Sequence, residues 1–178
     1  MSEPILNLSR ISKSFGGVEV LNDVSFDVEK GARHALIGPN GAGKTTLFNV
    51  ISGIHEPDKG KVFFEGKDLN GIPSRKRIKR GLSRSFQNIR LMPHLSVLEN
   101  VMLGQHSRYA FFDMIKPLSL SSKSTGKTEA IETLSSFGID LHKGQTVSSL
   151  PYGIRKKIEV VRALMAQPRL LLLDEPFS

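Results

Sequence analysis

Apolar and polar residues alternate through the opening stretch of the chain. Residues 5–11 run Ile5, Leu6, Asn7, Leu8, Ser9, Arg10, Ile11, and segments 18–21 and 24–28 continue in the same style. Asn22 and Asp23 read as a turn between those segments. Alternation carried by Phe, Val and Ile predicts antiparallel strands with one solvated face. Residues 32–37 end in the apolar run Ala35-Leu36-Ile37, which predicts a short strand buried on both faces. Residues 62–65, closed by Gly66, predict another strand.

The pattern then becomes helical. Residues 74–80 predict a short basic helix, 97–103 a second helix and 128–137 a third, with Gly104 and Gly138 as terminators. Between 152 and 167 the apolar positions Ile154, Ile158, Val161 and Met165 recur at helical spacing, and Pro168 closes the segment. The four leucines at 170–173 predict a buried strand. Residues 111–127, dense in Ser, Lys, Gly and Thr in their second half, predict a loop or mobile insertion. The fold class is α/β with an antiparallel portion at the N-terminus.

Composition narrows the partners. The 178 residues carry 25 Lys and Arg against 17 Asp and Glu, a net charge of +8. A balance this basic points to an anion: nucleotide, nucleic acid or a membrane surface. Hydrophobic residues at 39% permit a packed core. The absence of cysteine excludes disulfides, thiolate zinc sites and cysteine nucleophiles. Residues 1–4 lack the basic and apolar regions of a signal peptide, and the longest aliphatic run, 170–173, is too short to span a bilayer. His34, His55, His94, His106 and His142 show no metal-ligand spacing. The five basic residues within 75–80 read as a solvated helix face rather than a nucleic-acid or lipid patch, because no aromatic residues interleave them.

One segment decides the chemistry. Gly38, Pro39, Asn40, Gly41, Ala42, Gly43, Lys44 and Thr45 fit G-x-x-x-x-G-K-[ST], with a strand candidate before and a helix candidate from Thr46 onward. Glycines let backbone N–H groups converge on phosphate, and the following helix turns its positive end toward the same group. Lys44 supplies a point charge to the β- and γ-phosphates, and the Thr45 hydroxyl ligates Mg²⁺. The second half of such a site is expected at residues 170–175. A buried strand delivers Asp174, to hold Mg²⁺ through water, and Glu175, to act as general base on the attacking water.

These residues resemble the nucleotide-binding subunits of ABC transporters, over residues 6–176. The resemblance is to the ATPases of branched-chain amino-acid importers. It is carried by Ser12-Lys13-Ser14-Phe15-Gly16-Gly17-Val18, by residues 38–49, by Arg84-Ser85-Phe86-Gln87-Asn88-Ile89-Arg90-Leu91 and by Ser96-Val97-Leu98-Glu99-Asn100-Val101. It implies a P-loop NTPase core of the RecA-like kind with an antiparallel β portion and a helical subdomain. The divisions fall at 1–86 (β portion and P-loop part of the core), 87–157 (helical subdomain) and 158–178 (return to the core). ATP and Mg²⁺ are the implied cofactors. Phe15 matches the aromatic that stacks on adenine, and Gln87 the glutamine that reaches Mg²⁺ or the attacking water. Lys44, Gln87 and Glu175 form the implied catalytic set, with Thr45, Gln87 and Asp174 at the metal. Residues Gly38 to Thr46 together with Phe15 and Gly153 form the nucleotide-binding set.

Leu150-Pro151-Tyr152-Gly153-Ile154 stands where the family signature Leu-Ser-Gly-Gly-Gln belongs, and only Leu150 and Gly153 agree. Arg155, Lys156 and Lys157 crowd the helix start that follows, which suits an anion at that end. The implied partners are a second ATP-binding subunit, transmembrane permease subunits and, indirectly, a substrate-binding protein, with no nucleic acid. The implied location is cytoplasmic, peripheral on the inner face of the cell membrane. Alternatives are the ATPase of a lipopolysaccharide-type exporter, a nucleic-acid-associated P-loop ATPase, or an inactive nucleotide-binding remnant. Family members continue past the aspartate–glutamate pair with a further strand and a histidine. The chain therefore reads as a cassette whose C-terminal part is missing, with a gap expected in the sheet and poor hydrolysis expected from the isolated chain.

Overall fold

The alternating residues at the start form β1 (Leu6–Phe15), which pairs antiparallel with β2 (Val18–Val28) across a Gly16–Gly17 turn with positive φ at both glycines. β3 (Lys59–Phe64) pairs with the other edge of β1, and β4 (Lys67–Asp68) folds back on β3, giving the order β2-β1-β3-β4. The computed structural model describes residues 3–85, 91–107, 120–140 and 145–174. The chain divides into two compact units, Met1–Arg77 and Ile78–Ser178.

The predicted turn at Asn22 and Asp23 is instead a bulge inside a continuous β2. The alternation of buried residues in β1 slips between Leu8 and Ile11, and the register with β2 shifts at the same place. Arg10 and Asp23 take positive φ of 51° and 49°. The amides displaced from the ladder find hydroxyls: Arg10 N–H donates to Ser25 Oγ at 2.8 Å and Asp23 N–H to Ser12 Oγ at 3.1 Å. An extra residue in each strand is thereby absorbed without breaking either one.

Helix α1 (Lys44–Ser52) buries Leu47, Val50 and Ile51 and ends at Gly53, whose φ of 74° suits a left-handed cap. α2 (Ser74–Lys79) corrects the expectation of a wholly solvated basic face. Arg77 is only 1% exposed. Its guanidinium donates to the Val50 and Ile51 carbonyls at 2.8 and 2.9 Å and to the Leu69 carbonyl at 2.8 Å, while Nε donates to Ile72 at 2.7 Å. A cation thus meets two carbonyls of the last turn of α1, at the negative end of its dipole, and the Val50 carbonyl also accepts from the Gly53 amide at 3.2 Å.

A second correction concerns residues 32–37, predicted as a doubly buried strand. They form no strand and are exposed, Ile37 at 90%. A strand needs hydrogen-bonded neighbours, and none among the described residues pairs with this segment.

In the second unit, β5 (Leu82–Arg84) runs parallel to β6 (Leu170–Leu172), with Arg84 opposite Leu172. The sequence pattern did not reveal β5. α3 (Val97–Met102), α4 (Leu120–Ser136) and α5 (Tyr152–Leu164) enclose a core of Val97, Val101, Ala130, Leu134, Ile158, Val161 and Met165. The helical spacing of Ile158, Val161 and Met165 is the face α5 presents to that core. α4 begins eight residues earlier than the pattern predicted, so Ser, Lys, Gly and Thr at 120–127 are helical rather than loop. Gly126 sits in this helix because a Cβ there would lie 2.6 Å from Gln105 Oε1, and buried Gln105 donates through Nε2 to the Gly126 carbonyl at 2.7 Å. Gly104 does not terminate α3. It continues into a 3₁₀ turn, Leu103–Ser107, where a Cβ would overlap the Arg162 carbonyl of α5. Gly138, with φ of 68°, does follow the end of α4 as predicted.

Candidate nucleotide site

The loop between β2 and α1 is shaped by its glycines. Gly41 and Gly43 have φ of 84° and 82°. Gly43 is buried, and a Cβ on it would stand 2.8 Å from the Val20 carbonyl, so the loop lies directly on β2. Gly38, Pro39, Asn40, Gly41 and Ala42 are exposed, as is Thr45, and Thr46 is half-buried. The first turn of α1 contains no acid, and no side chain caps its amides. Its N–H groups and positive dipole end are therefore available to an anion.

Lys44 belongs to that turn. Its ammonium donates to the carbonyls of Gly38 at 2.6 Å and Pro39 at 2.8 Å, folding back across the loop. These partners are neutral dipoles, and among the described residues no carboxylate pairs with the charge. A phosphate entering the loop would meet an oriented cation without first breaking an ion pair.

Phe15 closes β1 and is 42% exposed, so it is not a core residue. His55 meets its ring edge-on, with centroids 5.2 Å apart. The Lys13 ammonium lies 5.5 Å from the Phe15 centroid and 2.6 Å from Asp58 Oδ1. That hydrogen bond, with a second from the Ser14 amide, holds the Asp58 carboxyl below the usual aspartate range. His55 thus meets the ring in a T-shaped contact and the Lys13 ammonium stands over one face, while the residue as a whole stays exposed.

Asp174 lies in the second unit, just past β6. It is 6% exposed. Arg84 Nη2 donates to Asp174 Oδ2 at 2.8 Å, and the Asp174 amide donates to Ser85 Oγ at 3.3 Å. This partner is marked in the sequence only as the arginine that opens the glutamine-loop stretch. Gln87 and Glu175 lie outside the described residues.

The segment at Leu150 opens α5 with Pro151 at its N-cap and no acid in the first turn. Gly153 is exposed, with nothing within 4 Å of where a Cβ would stand. The three cations behind it are not a uniform solvated cluster. Lys156 is 3% exposed with its ammonium 5.6 Å from the Tyr152 ring centroid, and the Arg155 guanidinium lies 6.0 Å from the same ring.

Residues 21–178 match the family model described as ABC transporter. The chain belongs to the ABC transporter family. It is 34% identical to the branched-chain amino-acid transport ATP-binding protein LivG of Salmonella typhimurium, over 99% of this chain and 71% of LivG. It is 33% identical to the corresponding protein BraF of Pseudomonas aeruginosa over the same shares. A solved nucleotide-free ATP-binding cassette from an ABC transporter matches with a TM-score of 0.81 at 30% identity, over 99% of this chain and 70% of that one. The fold is therefore that of an ABC-type P-loop ATPase. The chain is an ATP-binding subunit of this family, homologous to branched-chain amino-acid import ATPases, and its class of activity is ATP hydrolysis coupled to transport. Cassettes of this family work as dimers with transmembrane permease subunits. Among the described residues no helix is long and apolar enough to cross a membrane.

Proposed function

We propose that this chain energises the import of branched-chain amino acids. The similarity to LivG and BraF across 99% of the chain carries the reading. Gly38, Pro39, Asn40, Gly41, Ala42, Gly43 and Thr46 cradle the phosphates of ATP, Lys44 supplies the fixed charge, and Phe15 stacks on adenine. Base stacking on an aromatic ring contributes about 1–3 kcal/mol in single-strand nucleic-acid binding, and a similar scale is expected here.

Mg²⁺ fits the donors this chain offers. The Thr45 hydroxyl and the Asp174 carboxylate are hard oxygen ligands, and Mg²⁺ is usually held by one or two carboxylates together with waters and phosphate oxygens. When bound, the ion neutralises charge on the β- and γ-phosphates. Gln87 is assigned to orient the ion or the attacking water and Glu175 to take its proton; both roles rest on sequence correspondence. Gly153 approaches the γ-phosphate of nucleotide held by a second ATP-binding subunit, where absence of a side chain permits close contact. The subdivision into a β and P-loop portion, a helical subdomain and a return to the core belongs to the same reading. So do partnership with permease subunits, indirect service to a substrate-binding protein, and residence at the inner face of the cell membrane.

The test is reconstitution of the full chain with the membrane subunits of a branched-chain importer in vesicles. ATP-dependent leucine uptake that disappears with Lys44→Ala is expected. Failure of the chain to associate with those subunits, or uptake indifferent to Lys44→Ala, would overturn the assignment.

A further inference from the structure

The carboxylate of Asp174 faces a guanidinium. Arg84 and Asp174 side chains are 5% and 8% exposed, and Nη2 meets Oδ2 at 2.8 Å. The parallel register explains the meeting, because Arg84 stands opposite Leu172, two residues before Asp174. The neighbouring Ser85 ties the same strand ends together, its amide donating to the Leu172 carbonyl at 3.0 Å and its Oγ accepting from the Asp174 amide at 3.3 Å. A buried acid is tolerated where a counter-charge and hydrogen bonds replace its water. Arg84 supplies that counter-charge from within the chain. The same carboxylate is the one assigned above to serve Mg²⁺, so two cations have a claim on it.

We propose that Arg84 is a positioning residue for Asp174 and competes with Mg²⁺ for its charge; this rests on the reading of Asp174 as the acid that serves the metal. Without nucleotide, Arg84 fixes the carboxylate in one orientation at the end of β6. A divalent ion drawing on the same carboxylate would weaken the hold of the guanidinium on it. Arg84 thereby limits how much the divalent ion adds to nucleotide affinity. The fork geometry of the guanidinium sets the orientation, and its positive charge sets the competition.

The experiment is titration of the full chain with a fluorescent ATP analogue, once in EDTA and once in excess Mg²⁺. The ratio of the two affinities measures the contribution of the ion and needs no turnover. Arg84→Met is expected to raise that ratio about fivefold or more, the lower end of ordinary coupling between two bound groups. Arg84→Lys, which keeps the charge, is expected to leave it near the wild-type value. Asp174→Asn is expected to bring it toward one. An unchanged ratio in Asp174→Asn would overturn the assignment of Asp174 and the proposal with it. A ratio lowered by Asp174→Asn but not raised by Arg84→Met would overturn the competition alone. Equal changes in Arg84→Met and Arg84→Lys would do the same, since charge would not be the agent. A thermal melt in EDTA provides a measurement independent of nucleotide. Arg84→Met should melt lower than wild type, and adding Asp174→Asn should restore part of the loss by removing the stranded acid. No restoration would show that the two residues are not coupled and overturn the proposal.

Discussion

Lys44 illustrates how much a single side chain can be asked to do before any ligand arrives. Its ammonium is parked on two loop carbonyls, which orients it without neutralising it. A charge-assisted hydrogen bond contributes about 1.5–3 kcal/mol, so Lys44→Ala should weaken ATP binding by about tenfold or more. Titration with a fluorescent ATP analogue checks this, and an unaltered affinity would remove Lys44 from the phosphate site. Arg77 is the structural counterpart, a buried cation that answers four carbonyls. Arg77→Met leaves those acceptors without their donor and should lower stability by at least about 2 kcal/mol, measured by urea unfolding. Nothing in a run of basic residues marks which one turns inward. Arg77 was legible only as a charge, because its partners lie up to 27 positions away.

At the scale of elements, α3 carries its own start signal. Ser96 Oγ accepts from the Glu99 amide at 3.2 Å and Glu99 Oε2 accepts from the Ser96 amide at 2.8 Å, a reciprocal capping box. Ser96→Ala should cost about 1 kcal/mol by urea unfolding. The Ser96 hydroxyl and then the Ser96 amide hold the Glu99 carboxyl below its ordinary range. A depressed carboxyl stabilises the fold fully above its unfolded value of about 4.3, and that support is lost as pH falls through the lower folded value. Unfolding midpoints taken at neutral pH and in that acid window should therefore diverge less in Glu99→Gln than in the wild type. Local signals of this kind, like the glycines and lysine of residues 38–45, are legible because the pattern that marks them lies within a few consecutive residues. β5 was not legible, since Leu82, Ser83 and Arg84 become a strand only through pairing with residues about 88 positions later. The start of α4 was not legible for a related reason: its Ser, Lys, Gly and Thr composition suits a loop, and the contact of Gly126 with Gln105 spans 21 positions.

For the molecule as a whole, the net charge of +8 does not describe a uniform basic surface. Arg77 and Lys156 are buried, Arg84 is paired with Asp174, and Lys44 is folded onto its loop. The phosphate contacts that make nucleic-acid binding steep in salt need many cations presented together. The chain should therefore pass through immobilised duplex DNA at physiological salt, and retention there would revive the nucleic-acid alternative. The α/β class and the family were legible in the sequence, because each rests on a local motif or a simple period. The exposure of residues 32–37 was not, since burial of that run depends on strands elsewhere in the chain.

The grip of Arg77 on the last carbonyls of α1 also bears on timescales. Helix ends ordinarily fray, and amides near them exchange with solvent quickly. Here one end of α1 is fastened by a buried guanidinium, and the other is the open rim of the phosphate loop. The helix is a cantilever. Amides in the last turn of α1 should therefore exchange with solvent more slowly in the wild type than in Arg77→Met, which hydrogen-exchange protection would read.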